Sequence, residues 1–172
     1  MPTEELLHAR TKDLAGGLMV RRLLPTHPRQ AVGPFVFFDH FGPVTAQPED
    51  DHDVRPHPHI GLATVTYLFD GAMLHRDSLG SIQRIEPGAI NWMTAGRGII
   101  HSEMPQQTEG RMRGFQLWIN LPAREKMKPA AYRDIPSREI PTVALDGGGE
   151  LRVIAGTLHQ GNITTEGPIS GL

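Results

Sequence analysis

The stretches RPHPHIGLATVTYLFDG, residues 55–71, and GRGIIHSEM, residues 96–104, decide how this chain is read. Each carries ligand-type side chains two residues apart: His57 and His59 in the first, His101 and Glu103 in the second. In a strand, residues i and i+2 project to the same face. If two such strands face each other, three imidazoles and one carboxylate converge. The residues between them read as a series of strands. The pattern therefore points to a mononuclear metal site inside a small β-barrel.

Composition narrows the field. The chain has 172 residues, enough for one domain with a sizeable core. Seventeen Lys and Arg against nineteen Asp and Glu leave a formal net charge of -2, which gives no general attraction to nucleic acid or to an anionic membrane. No direct nucleic-acid binding is expected. There is no cysteine, so any metal must be held by His, carboxylate, carbonyl or water, and a cytoplasmic chain fits. The first residues, MPTEELLHARTKDL, lack an apolar segment of the secretory type, and no apolar run approaches the roughly 20 residues that span a bilayer. Nineteen Gly and fifteen Pro suit an all-β protein with many turns.

Along the chain, residues 1–15 read as a polar arm and Gly16-Gly17 as a turn. Leu18 to Leu24 and Phe35 to Phe41 read as strands, the second ending in a turn at Gly42-Pro43. Residues 44–56 read as a polar loop. From His57 to Phe69 runs a long apolar and β-branched, strand-like segment, closed by a hairpin signal at Asp70-Gly71. Short strands then alternate with turns at Ser78-Leu79-Gly80, Pro87-Gly88 and Ala95 to Gly98, and 112–121 is a further strand. Such spacing predicts a sandwich or barrel. A short helix is expected after Pro122, then an extended Pro-rich run, then strands at Thr142 to Leu145 and Glu150 to Ile154. The last residues, GNITTEGPISGL, show no packing role.

Imidazole and carboxylate suit Fe(II), Mn, Co, Ni, Cu and Zn. Three His and one Glu on rigid strands leave positions open on an octahedral ion, which separates a catalytic site from a closed structural one. The plainer reading of a lone His-x-His is a surface or satisfied core pair; the second pair, set like the first in apolar sequence, argues for ligands. The other histidines read differently. His40 is a turn or core residue, or a group that orients a ligand. His52, among Asp50, Asp51 and Asp53, belongs to a solvated acidic loop. His75 reads as an exposed strand residue, and His8, His27 and His159 as surface. Trp92, Met93 and Phe38 are candidates to line a pocket above the metal, or simply core. Arg97 is an anion-binding candidate whose simpler role is a turn residue between glycines.

FVFFDHFGP, RPHPHIGLATVTYLFDGAMLHRDSLGS, IEPGAINWMTAGRGIIHSE and FQLWINLP, in that order, resemble the pirin family of the cupin superfamily. The likeness covers most of residues 16–155. It implies a double-stranded β-helix, or jelly-roll, barrel, with His57, His59, His101 and Glu103 as metal ligands and Fe(II) as the favoured ion. The carboxylate that a general cupin carries shortly after its His-x-His is missing, since Ala63 and Thr64 occupy that region; Glu103 takes its place. Pirins usually have two cupin domains. Residues 1–155 are thus expected to form the metal-holding first domain, and 156–172 a linker or the start of a second. An apolar face meant for that half would then favour a dimer. The resemblance implies two kinds of function. One is a quercetin 2,3-dioxygenase-type oxidation of a flavonol-like substrate with O2, with Glu103 as the catalytic base. The other is non-enzymatic: an iron-dependent regulator that binds a partner protein, as a transcription cofactor or a modulator of a metabolic enzyme.

Overall fold

The computed structural model describes residues 6–14, 18–45, 53–106 and 111–169. Gly16-Gly17 and the acidic stretch around Asp50, Asp51 and His52 lie outside the described residues. Nearly all regular structure is strand: β1 (Arg10–Asp13), β2 (Met19–Leu24), β3 (Phe35–Thr45), β4 (Val54–His59), β5 (Leu62–Asp70), β6 (Met73–Asp77), β7 (Ile82–Ile85), β8 (Ile90–Thr94), β9 (Ile99–Pro105), β10 (Arg111–Asn120), β11 (Ala131–Ile135), β12 (Thr142–Ala144), β13 (Glu150–Arg152), β14 (Thr157–Gln160) and β15 (Ile163–Glu166).

Two antiparallel sheets face each other. One runs β1-β2-β3-β10-β5-β8-β11 and the other β4-β9-β6-β7. From β3 to β6 and from β7 to β10 each successive strand changes sheet, which makes the architecture a jelly roll: an all-β, cupin-type double-stranded β-helix. Side chains alternate along every strand. On β5, Thr64, Thr66 and Leu68 face the interior, while Ala63, Val65 and Tyr67 face out. The interior has two apolar ends. Leu18, Val20, Phe41, Leu68, Met73, Ile85 and Met112 fill one, and Met93, Ala95 and Ile99 the other. A belt of polar side chains lies between them. The outer face of the large sheet buries a third cluster, with Ala63, Val65, Ile90, Trp92 and Ile119 packed against Ile135, Ile140 and Ile169.

Ile90 is fully buried in that outer cluster, so Ile90→Ala deletes apolar contacts and leaves a cavity. It is expected to cost about 2–5 kcal/mol in denaturant unfolding. Ile163→Ala, at a position 61% exposed, is expected to stay within about 0.5 kcal/mol.

Several turns differ from expectation. Asp70-Gly71 does not close a hairpin, because β5 pairs with β10 and β8 while β6 pairs with β7 and β9. The dipeptide carries the chain from one sheet to the other. Gly71 adopts φ +81°, and a Cβ there would meet the Arg111 carbonyl at 2.9 Å, so the glycine is required by a close crossing. The strand-like segment from His57 is divided between two strands. β4 ends at His59, Gly61 turns at φ +68°, and Lys126 Nζ donates to the Gly61 carbonyl at 2.9 Å. Gly42-Pro43 lies inside β3 rather than ending it, and residues 54–56 belong to β4 rather than to a loop. Directly after Pro122 the chain forms a 3-10 turn, Ala123–Glu125, rather than an α-helix. Part of the Pro-rich run forms β11, which pairs with β8 at the edge of the large sheet. The tail does pack: β14 and β15 pair, and Ile169 is buried in the outer cluster.

Candidate metal centre

β4 and β9 lie antiparallel, and their register sets His57 opposite His101. A register shift between Val54 and His57 interrupts this pairing. His57, His59 and His101 meet with ring centroids 4.5–5.0 Å apart. One donor nitrogen from each lies within 4.8 Å of the others, the spacing of a metal-ligand set. His57 is half-buried, His59 is 7% exposed and His101 1%. His57 Nδ1 sits 2.8 Å from the Arg55 carbonyl, so it carries the proton and leaves Nε2 as the free donor. Among the described residues, His59 Nε2 and both ring nitrogens of His101 are buried without a hydrogen-bond partner. Buried polar atoms are rarely left so, and a cation bound by His59 Nε2 and by one nitrogen of His101 would satisfy two of the three. The residues present therefore fit a divalent metal.

Glu103 stands deeper, 4% exposed. The opposite sheet holds its carboxyl group. Asn91 Nδ2 donates to Oε1 at 3.2 Å, and Gln116 Nε2 reaches Oε2 at 3.4 Å. Thr66 Oγ1 lies 2.6 Å from both Glu103 Oε1 and Gln116 Oε1. One hydroxyl proton cannot serve two acceptors. In the metal-free site a neutral Glu103 that donates to Thr66, while Thr66 donates to Gln116, satisfies all three; an ionised Glu103 instead accepts from Thr66. Burial pushes the Glu103 carboxyl above the usual range, against the opposing pull of Thr66, His75, His57 and Asn91. Oε2, with only a long contact, is the freer oxygen.

A cavity of about 730 Å3 opens on this cluster. His57, Glu103 and Gln116 form one part of its wall, and Phe37 and Trp118 another. The Phe37 and Trp118 rings stack at 4.2 Å, and Trp118 meets His59 edge-on at 4.9 Å. Arg22 lies over Phe37 and forms a bidentate pair with buried Asp39 at 2.8 and 2.7 Å.

The aromatic residues suggested from sequence lie elsewhere. Trp92 packs in the outer cluster, Met93 fills an apolar end of the interior, and Phe38 contacts Phe115 on the outer face. Strand alternation explains all three, since each is one residue out of phase with, or too far along its strand for, the cavity. His40 also faces Phe115 and pairs with Arg21. Arg97 is an exposed turn residue.

His75 departs furthest from its expected surface position. It is fully buried, not exposed. Its Nε2 donates to Asp77 Oδ2 at 3.0 Å, and its ring stacks on Tyr132 at 4.2 Å. β6 sets it opposite Glu103. His75 and Asp77 are themselves two residues apart, so the rule that found the other two pairs also marks this one.

Two histidines carry a pH signature. Burial, and then repulsion from His57, holds His59 down at about 4. Burial, and then His57, His59 and His75, holds His101 at about 3. The unfolded chain takes up protons at both residues below pH 6.5, while the folded barrel resists them. Their stabilisation is therefore complete above pH 6.5 and is lost as pH falls toward 4 and 3. Between pH 6.5 and 5 each is expected to cost about 2 kcal/mol. Glu103 acts in the opposite sense, its contribution being present below the ordinary carboxylate range and lost as pH rises through its raised value. Urea unfolding of the metal-free protein should show a lower midpoint at pH 5 than at pH 7. An unmoved midpoint would contradict the burial of these rings.

A jelly-roll barrel with imidazoles from two paired strands beside an inward carboxyl group defines a cupin-type barrel with a candidate metal centre. The match to the pirin family model over residues 17–119 makes the assignment narrower: the chain belongs to the pirin family. Two pirin-like proteins of Caulobacter vibrioides are 43% identical over 171 residues (99% of this chain, 60% of that protein) and 49% identical over 154 residues (86% and 53%). A solved quercetin 2,3-dioxygenase of Acinetobacter baumannii superposes with a TM-score of 0.84 at 39% identity, covering 94% of this chain and 52% of that one. The chain spans about half the length of the curated relatives it matches. Among the described residues no helix is long and apolar enough to cross a membrane.

Proposed function

We propose that the barrel holds one divalent ion, Fe(II) by preference, on His57, His59, His101 and Glu103, and oxidises a flavonol-like small molecule with O2 in the manner of a quercetin 2,3-dioxygenase. The observation that carries this reading is the cavity: it meets the donor cluster at His57 and Glu103, and aromatic rings form its wall. A flat aromatic substrate is suited to such a wall by stacking and edge contacts. Kinship with the Acinetobacter enzyme supports the substrate class.

Within this reading the residues divide the work. The bound ion would supply Lewis acidity toward a substrate hydroxyl and one-electron chemistry toward O2. Phe37 and Trp118 orient the rings and exclude water. Glu103 takes the hydroxyl proton on Oε2, the oxygen with fewer partners, while Thr66 and Asn91 hold Oε1 in place. Its raised proton affinity makes it a strong acceptor once ionised. Ligation and proton transfer compete for this carboxylate, and the division between its two oxygens offers a way to serve both.

The test is O2 uptake by Fe(II)-loaded protein with quercetin, against metal-free protein and against Fe(II) in buffer. Uptake that needs protein, metal and quercetin together is the expected result. Uptake no faster than with Fe(II) alone would overturn the enzymatic reading.

A further inference from the structure

His75, His101 and Glu103 form a second group whose donor atoms all lie within 4.8 Å of one another. All three are buried, at 0, 1 and 4% exposure. His75 is prepared as a ligand. Its Nε2 proton is committed to Asp77, whose Oδ1 accepts from the backbone N–H groups of Leu79 at 2.9 Å and Ser81 at 3.0 Å. Asp77 is thereby fixed, with its side chain fully buried. The remaining nitrogen, His75 Nδ1, is buried and has no hydrogen-bond partner among the described residues. A carboxylate that orients a histidine through one nitrogen while the other faces a cluster is the arrangement that supports metal-bound imidazoles. Tyr132 stacks on one side of the His75 ring, and His101 lies 5.4 Å away.

We infer that the barrel has a second, inner position for a divalent transition metal, on His75, His101 and Glu103. It rests on the reading of the outer cluster as a metal centre. A neutral imidazole has one lone pair to give, so His101 serves the outer position or the inner one, not both at once. The two positions are therefore alternatives for a single ion. They differ in access. Of the outer imidazoles His57 lines the cavity, and of the inner donors only Glu103 does. An ion at the outer position meets the cavity at His57; an ion at the inner one reaches it only through Glu103.

The experiment is Co(II) titration followed by visible absorption, with circular dichroism confirming the fold of each variant. The double variant His57→Ala/His59→Ala removes the outer ligands and is expected still to bind one equivalent of Co(II), about 10–100-fold more weakly than the unsubstituted protein. Adding His75→Ala is expected to abolish that binding. A folded double variant that binds no Co(II), or a triple variant that binds as well as the double, overturns the inner position. If the double variant does not fold, the milder His57→Ala background decides. There His75→Ala is expected to weaken Co(II) at least about tenfold further, while in the unsubstituted protein it changes affinity by less than about threefold. Equal effects of His75→Ala in the two backgrounds overturn the proposal. Because binding and not turnover is read, this failure is distinguishable from failure of the oxidation reading.

Discussion

His101→Ala is expected to abolish retention of a divalent ion, because His101 is the one imidazole common to both donor groups. Without it neither group keeps three donors within 4.8 Å of one another, and the two that remain in each compete poorly with water. Loss of affinity of at least about 100-fold is expected, beyond the effect of removing an orienting partner alone. The substitution also removes a fully buried ring with two unpartnered nitrogens. The metal-free barrel therefore loses packing but also loses a group that resists protonation, and its acid sensitivity below pH 6.5 should shrink. Equilibrium dialysis with Fe(II) or Co(II) reads the first effect, and unfolding at pH 7 and pH 5 the second. Unchanged metal retention by a folded His101→Ala protein would remove the basis for either metal position.

Glu103→Gln is expected to lower turnover by about 100- to 10,000-fold, the usual range for a lost general base. Gln keeps the size and can still meet Thr66 and Asn91, so the fold should survive. It cannot accept the substrate proton. The pH profile separates the two roles of Glu103. As the base, it must be ionised, so the unsubstituted protein's rate should fall as pH drops through its raised value. As a ligand only, its replacement would lower metal content, and the remaining rate per bound ion would be unchanged. Metal analysis alongside turnover therefore distinguishes them, and full turnover in a metal-replete Glu103→Gln protein would sink the base role.

Much of this site can be read from spacing. His57 with His59, and His101 with Glu103, are two residues apart on strands, and pleating alone brings each pair to one face. That these strands pair with each other depends on long-range register, to which the local pattern is blind; the bulge between Val54 and His57 is an example. The same limit explains the turns. Asp-Gly between two apolar runs has the chemistry of a hairpin, but it is also what a close crossing between sheets needs, and Gly71 serves the second purpose. Trp92 and Phe38 were plausible cavity residues by type, yet the phase of their strands sends them outward. His75 shows a different failure. Its neighbours Arg76 and Asp77 gave AMLHRD a surface character, while Asp77 is in fact the buried partner that makes a buried His tolerable.

An ion held by imidazoles from β4 and β9 at the head of the cavity is the centre of the proposed function. The most direct test is metal content after equilibrium dialysis against Fe(II) under anaerobic conditions, measured on the unsubstituted protein and on a folded His57→Ala/His59→Ala/His101→Ala variant. One equivalent in the first and none in the second is the predicted result. An unsubstituted protein that retains no more iron than the variant would contradict it.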